Sequence, residues 1–445
     1  MPKNDFTIGS VRQLILSQAL PLTAAQVVQL LYSIVDRIYI GHLPGNGSLA
    51  LTGLGITFPV IVMIAAVTSL FGSGGVTVFS LARGRGETEE AEAVLGNVAF
   101  LLAVSSVILF FISYLFRRPI LFAFGASEQS YFYADRYLKV YLFGTAFSML
   151  ATGLNGFIGA QGFPKIGMLS TVIGALLNVV LDPICIFLLH MDVRGAALAT
   201  VISQAVSCLW VLVFLAGEKA ILKIRWDKMR ISSRRLGRIV SLGLPGFVMQ
   251  GTNSLVSIVC NTQLQIYGGD LYVGIMTILS SVREMVAVPV RGLCHGAQPI
   301  LGYNYGAGEN GRVREGIRFI VFTGAAYLLC IWITVLLIPT QLIKMFSSDP
   351  EIISAGSKML FIYFFGFVFM AFQMSGQSTF QALGKAKHAI FFSLLRKVII
   401  VVPLTLLLPA VGFGVRGVFL AEPFSNVIGG LAVITTMYFT VYRKL

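Results

Sequence analysis

Gln26, Gln29, Ser33 and Asp36 recur at spacings of three, four and three in an otherwise apolar stretch that begins at Pro21. At 100° per residue, the four side chains occupy about a quarter of a helix circumference. Thr171, Asn178 and Asp182 sit at i, i+7 and i+11, again on one helical face. Ser148, Thr152 and Asn155 cluster likewise, as do Thr200, Ser203 and Ser207. Carboxylates, amides and hydroxyls supply oxygen ligands, which suit a hard cation or a proton. A carboxyl group taken out of water is costly to keep charged. Either property would let Asp36 and Asp182 take up H⁺ or Na⁺ on one side of a barrier and release it on the other. The plainer role for Asn155, Thr200 and the serines is hydrogen bonding between helices.

The second half of the chain carries a different set. Ser280, Glu284, Arg291 and Gln298 fall within about 40° of one another by helical phase. Arg283 is adjacent, and His295 is near the same face. Gln373, Gln377 and Gln381 follow at i, i+4 and i+8, then Arg396, Lys397 and Glu422. Glu284 and Glu422 can neutralise some of these cations, but cations remain in excess. Facing a cleft, they would favour anionic or polar parts of a substrate. With Gln26, Gln29 and Gln250, the residues Arg283, Glu284, Arg291, His295, Gln373, Gln377 and Arg396 are the candidate lining of such a cleft. His295 alone says little, and a hydrogen-bonded core histidine is the preferred reading of it.

The elements that must position these side chains are membrane helices. Of 445 residues 56% are hydrophobic and only 12% charged, with a mean hydropathy of +0.84. A soluble domain usually carries about twice that share of charge. Apolar runs near the roughly 20 residues needed to span a bilayer recur along the whole chain. They predict twelve spans, at 13–38, 51–80, 93–115, 131–158, 164–189, 195–216, 238–266, 271–301, 317–338, 352–380, 387–410 and 416–441. No cleavable signal precedes the first of them. The chain reads as an all-α polytopic protein with a first six-helix lobe at 1–216, a basic linker at 217–237 and a second lobe at 238–445.

The net charge of +14 follows topology and not nucleic acid. With the N-terminus inside, the inward loops hold Lys219, Lys223, Arg225, Lys228, Arg230, Arg234, Arg235 and Arg238, besides Arg83, Arg85, Arg312 and Arg314. The outward loops hold few cations, and this asymmetry places both termini in the cytoplasm of a cell membrane. Contact with anionic lipid is expected of the basic loops. Cys185, Cys208, Cys260, Cys294 and Cys330 all lie in apolar spans at no metal-like spacing, and read as small buried hydrophobes.

Shifted by 222 residues, the sequence meets itself. Gly84 to Glu87 falls on Gly306 to Glu309, Ala160-Gln161-Gly162 on Ala382-Leu383-Gly384, and Val193-Arg194-Gly195 on Val415-Arg416-Gly417. Tyr141 and Gly144 meet Tyr363 and Gly366, and near the start, with a shift of 224, Leu20-Pro21 meets Leu244-Pro245 and Gln26 meets Gln250. Six spans per copy give a parallel repeat, two bundles around a central cleft, as in transporters that alternate access. Asp36 is not duplicated, since its partner is Cys260, and Asn178 and Asp182 meet Ile400 and Leu404. There is no phosphate-binding loop, because Gly384-Lys385 is followed by alanine, and no acidic magnesium motif. Energy would come from an ion gradient, and no catalytic constellation points to an enzyme.

These features resemble the multidrug and toxic compound extrusion (MATE) transporters across essentially the whole chain. The paired Leu-Pro starts, the Gly-x-Gly-Glu loops and the stretch Gly296 to Gly308, GAQPILGYNYGAG, carry the resemblance. Asp36 fifteen residues after Pro21, Asn178 four before Asp182, and Asn155 and Thr200 match the cation site that one branch keeps in its N-terminal lobe. The branch with its essential acid in the seventh span would need a carboxylate between Val248 and Ile266, where this chain has none. The resemblance implies export of amphipathic drugs or toxic metabolites against inward H⁺ or Na⁺, with protonation or ion binding near Asp36 bending the first helix at Pro21. It implies no cofactor beyond that ion, small amphipathic substrates and membrane lipids as partners, and a monomer. Arg283, Arg291, Arg396, Lys397 and Cys260 depart from a site for simple organic cations. The competing reading is a lipid-linked precursor flippase of the same wider superfamily, which would hold a pyrophosphate headgroup in a basic cleft and often adds spans beyond twelve.

Overall fold

The computed structural model describes residues 5–41, 47–225, 232–347 and 349–445, and among them there are helices and no strands. Lys228 and Arg230 of the basic linker lie outside the described residues. The first half runs α1 (Val11–Gly41), α2 (Gly47–Gly84), α3 (Thr88–Leu115), α4 (Arg117–Ala123), α5 (Glu128–Phe143), α6 (Thr145–Ala160), α7 (Pro164–Pro183) and α8 (Val193–Ala216). The second runs α9 (Ser233–Gly306), α10 (Asn310–Leu337), α11 (Pro339–Lys344), α12 (Pro350–Tyr363), α13 (Phe369–Ala382), α14 (Ala386–Leu394), α15 (Val402–Leu408) and α16 (Gly414–Met437).

Twelve spans follow once the breaks are placed. The 74-residue α9 holds two, separated at Gly269, whose φ of 66° departs from the helix. Ala386–Tyr442 holds two more, parted by Gly412 and Gly414. Span four is the pair α5–α6, bent by 57° at Gly144, and span ten is the pair α12–α13, interrupted around Gly366. α1 continues through Pro21 as one helix.

Backbone geometry repeats with the sequence. Gly86 and Gly308 take φ of 76° and 80° and end α2 and α9 alike, with Glu87 N bonded to Ala82 O and Glu309 N to Asn304 O. Gly162 and Gly384 close α6 and α13 the same way, with φ of 88° and 71°. Left-handed glycines just beyond a helix satisfy its last carbonyls at little steric cost. The short helices α4 and α11 also occupy matching places, after spans three and nine.

The chain forms two compact units, one built essentially of Leu20–Phe247 and the other of Phe6–Ala19 with Val248–Leu445. These limits differ from the sequence boundaries at 216 and 238, and the packing of glycine explains why. In the first unit the start of α9 presses on α2 backbone to backbone, where a side chain on Gly74 or Gly243 would collide with main-chain atoms. In the second, a Cβ on Gly296 would lie 2.6 Å from the amide nitrogen of Ala19, so the start of α1 belongs there. The first unit is cored by Phe79, Leu95, Leu102, Leu138 and Phe157, with Phe79 and Phe157 edge to face at 5.2 Å. Phe364, Phe367 and Phe419 core the second. Exposed helix faces are apolar, including Phe322, Leu337 and Ile258, as lipid contact requires. Cys330 lies on such a face and is exposed, unlike the buried Cys185, Cys208 and Cys294.

Candidate functional site

In the first unit the polar face of α7 packs on α8 and α6. Small residues at Gly167, Ser170 and Gly174 share that face, and a Cβ on Gly167 would press on Asn155 Oδ1 at 2.6 Å. Ser207 Oγ donates to Ser170 O at 2.9 Å, an interhelical bond that ties α8 to α7. Two turns further along α7, Asn178 and Asp182 are 2% and 0% exposed. The Asn178 amide donates to Asp182 Oδ1 at 3.2 Å and to Thr200 Oγ1 at 3.3 Å. The carboxyl groups of Asp182 and Asp36 come within hydrogen-bonding reach of each other. Tyr32 and Tyr137 stand within electrostatic range of both carboxyls, and Tyr141 stacks on Tyr137 with ring centroids 5.7 Å apart.

Asp36, Asn178, Asp182 and Thr200 thus form one group, drawn from α1, α7 and α8. Asp182 Oδ2 and Asn178 Oδ1 are buried there with no hydrogen-bond partner among the described residues. Two unpartnered acceptor oxygens and a second carboxyl side by side can hold a proton or an alkali cation. Beyond Asp182 the helix widens into a π-helical turn at Ile184–Leu188, where Pro183 has already removed one backbone donor.

Asn155 is not part of this group. Its amide donates to Gly167 O at 3.1 Å and reaches Thr171 Oγ1 at 3.5 Å. Thr171 is eleven residues before Asp182, about 16 Å along the helix axis. Gln29 is exposed, Gln26 half-buried, and both lie two turns or more from Asp36, about 10 Å or further. Gln250 is half-buried on α9. Sequence reasoning passed over Tyr32, Tyr137 and Tyr141, although Tyr32 stands one turn before Asp36 and the other two are i, i+4 on α5.

In the second unit the charged residues converge on Glu422 of α16. Glu422 Oε1 accepts from Arg283 Nη1 at 2.7 Å, Lys397 Nζ at 3.0 Å and Arg396 Nη1 at 3.3 Å. Arg396 Nη1 also donates to Asn426 Oδ1 at 2.9 Å, and its stem crosses Gly429, where a Cβ would lie 3.4 Å away. Adjacent residues of an α-helix point about 100° apart. Arg396 and Lys397 nonetheless share one carboxylate through their long side chains, and the segment that carries them, Leu395–Val401, is π-helical. Arg291 Nη2 donates to Glu284 Oε2 at 2.6 Å, and Arg283 is 3.7 Å from Glu284 Oε1.

The predicted face on α9 therefore divides. Its charged members join the Glu422 cluster, whereas Gln298 donates to Gln381 at 3.0 Å and His295, one turn before Gln298, is exposed and not a core residue. Gln373 and Gln377 are buried and bonded to each other at 2.7 Å.

Twelve spans in a duplicated six-helix unit, each unit enclosing its own ionisable cluster, define a polytopic membrane protein of the two-lobed transporter class. A family model, MatE, matches the chain twice, over residues 21–184 and 245–407, and the chain belongs to that family. Both matches begin at a proline of the repeat, Pro21 and Pro245. The chain is 26% identical to the multidrug export protein MepA of Staphylococcus haemolyticus, over 93% of this chain and 90% of that one. It is 25% identical to MepA of Staphylococcus aureus strain MSSA476, over 94% and 92%. Among solved structures it resembles a multidrug resistance MATE family transporter of the MOP superfamily in an outward-facing conformation. That likeness has a TM-score of 0.92 at 22% identity, covers 99% of this chain and 98% of the other, and establishes the fold.

Proposed function

We propose that the protein exports amphipathic drugs or toxic metabolites in exchange for inward H⁺ or Na⁺, by alternating access of its two lobes. The observation that carries the coupling is the convergence of Asp36 and Asp182 with Asn178 and Thr200 in the first unit. Two carboxylates within hydrogen-bonding reach repel unless a proton or a cation lies between them. An ion bound there cancels that repulsion, and its release restores it, so occupancy of the pair can bias the first lobe between two packings. The curated relatives are multidrug export proteins, and family membership supports carrying drug efflux to this chain. The site needs no cofactor beyond the coupling ion. On this reading the protein works as a monomer in the cell membrane, with both termini in the cytoplasm.

Dye retention in energised cells of a pump-deficient host tests the proposal. Wild-type protein lowers retention, whereas Asp36→Asn and Asp182→Asn, present in the membrane at wild-type level, return it to that of cells without the protein. Efflux unchanged in both variants would remove the carboxyl pair from the coupling.

A further inference from the structure

The second unit holds more buried positive charge than its own residues neutralise. Arg283, Arg291, Arg396 and Lys397 face two carboxylates, Glu284 and Glu422, which leaves an excess of two. Uncompensated charge inside a membrane span is costly, and its usual partners are a substrate or an ion. Accessibility within the cluster is graded. Side-chain exposure is 6% at Lys397, 9% at Glu422 and 11% at Arg396, rises to 18% at Arg283, and reaches 36% at Arg291 and 44% at Glu284. The closed end is the neutralised one, where Glu422 accepts from three cations. The reachable end is Arg283 and Arg291, and Arg283 Nε is buried without a hydrogen-bond partner among the described residues. Tyr363 backs Arg283, with the guanidinium carbon 5.7 Å from the ring centroid, an apolar wall beside the charge.

We infer that this cluster is an oxyanion subsite, and that the cargo carries a carboxylate or a similarly charged oxyanion on an apolar body. A guanidinium fork matches such a group in geometry as well as charge. The inference rests on the exporter reading only for calling the ligand a cargo; the binding itself stands apart from it.

Two dyes with one xanthene skeleton separate the possibilities, fluorescein as the anion and rhodamine 123 as the cation. Fluorescence anisotropy with purified protein in detergent gives both affinities. Fluorescein binds tighter, by about tenfold, the scale of one hydrogen bond between charged groups, and unlabelled benzoate displaces it. Arg283→Gln weakens fluorescein by about the same factor with rhodamine 123 unchanged, and Arg283→Lys recovers part of the loss. Arg291→Gln, which loses only the Glu284 pair, weakens fluorescein too and serves if Arg283→Gln fails to fold. Equal or weaker binding of fluorescein, or binding indifferent to both variants, overturns the subsite. The same dyes in vesicles under a pH or Na⁺ gradient keep the two readings apart. Fluorescein bound but moved by neither gradient overturns the exporter and leaves the subsite. Rhodamine 123 moved, with fluorescein neither bound nor moved, overturns the subsite and leaves the exporter.

Discussion

Glu422 accepts from three cations, whereas Asp182 has one amide donor and a second carboxyl beside it. The two carboxylates should therefore answer neutralisation with opposite signs. Glu422→Gln strands three buried cations and destabilises the fold by roughly 3 kcal/mol or more. Asp182→Asn removes a repulsion, and leaves stability level or raised while transport is lost. Thermal melting in detergent distinguishes them, and equal losses in both would contradict the assignment of roles. A second residue-scale contrast lies at Asp192, with φ 58° and ψ −146°, a region that essentially only glycine occupies without strain. Its repeat partner is Gly414, at φ 53° and ψ −138°. Asp192→Gly should raise stability by about 1 kcal/mol, less whatever the 3.7 Å pair with Arg136 contributes. The carboxylates were legible in sequence because a charge in a span is rare and expensive. Asn155 was grouped with them wrongly in space, since helical phase gives the direction of a side chain but not which turn of the neighbour it meets.

Helices were legible from apolar runs, and the observed helices end within about seven residues of the expected spans. Their interruptions were not legible. Gly144 and Gly366 break spans four and ten, and π-helical turns follow Asp182 and contain Arg396, but none of these changes the hydropathy of the segment. Where two breaks meet, the geometry is tight: a Cβ on Gly195 would lie 2.7 Å from the main chain of Cys185, and on Gly417 2.8 Å from that of Leu408. These glycines hold spans six and twelve against the irregular ends of spans five and eleven. Gly195→Ala should cost about 1–3 kcal/mol by forcing the backbones apart, read as a lower melting temperature. An unchanged one would mean that the π-helical turn yields freely. Because Gly195 also holds α8 on the segment that follows Asp182, transport should fall along with stability.

Duplication organises the whole molecule, and the sequence showed it through loop glycines and Leu-Pro starts. What it did not show is that Phe6–Ala19 belongs with the second unit and the start of α9 with the first. That exchange depends on the close approaches at Gly74, Gly243 and Gly296, which single-chain periodicity cannot reveal. Against this common frame the two units differ chemically: paired carboxyls in one, excess cations in the other. The ion would be handled by the first and the cargo's charged group by the second, so on the exporter reading cargo and ion movements are coupled, in opposite directions, through Asp36 and Asp182. Vesicles holding the purified protein, a trapped pH- or Na⁺-sensitive dye and an outward cargo gradient test it most directly. Wild-type protein should move H⁺ or Na⁺ opposite to the cargo when the gradient is imposed, and Asp36→Asn and Asp182→Asn should abolish that ion flux. Cargo movement with no ion flux in the wild type, or ion flux that survives both substitutions, would contradict the account.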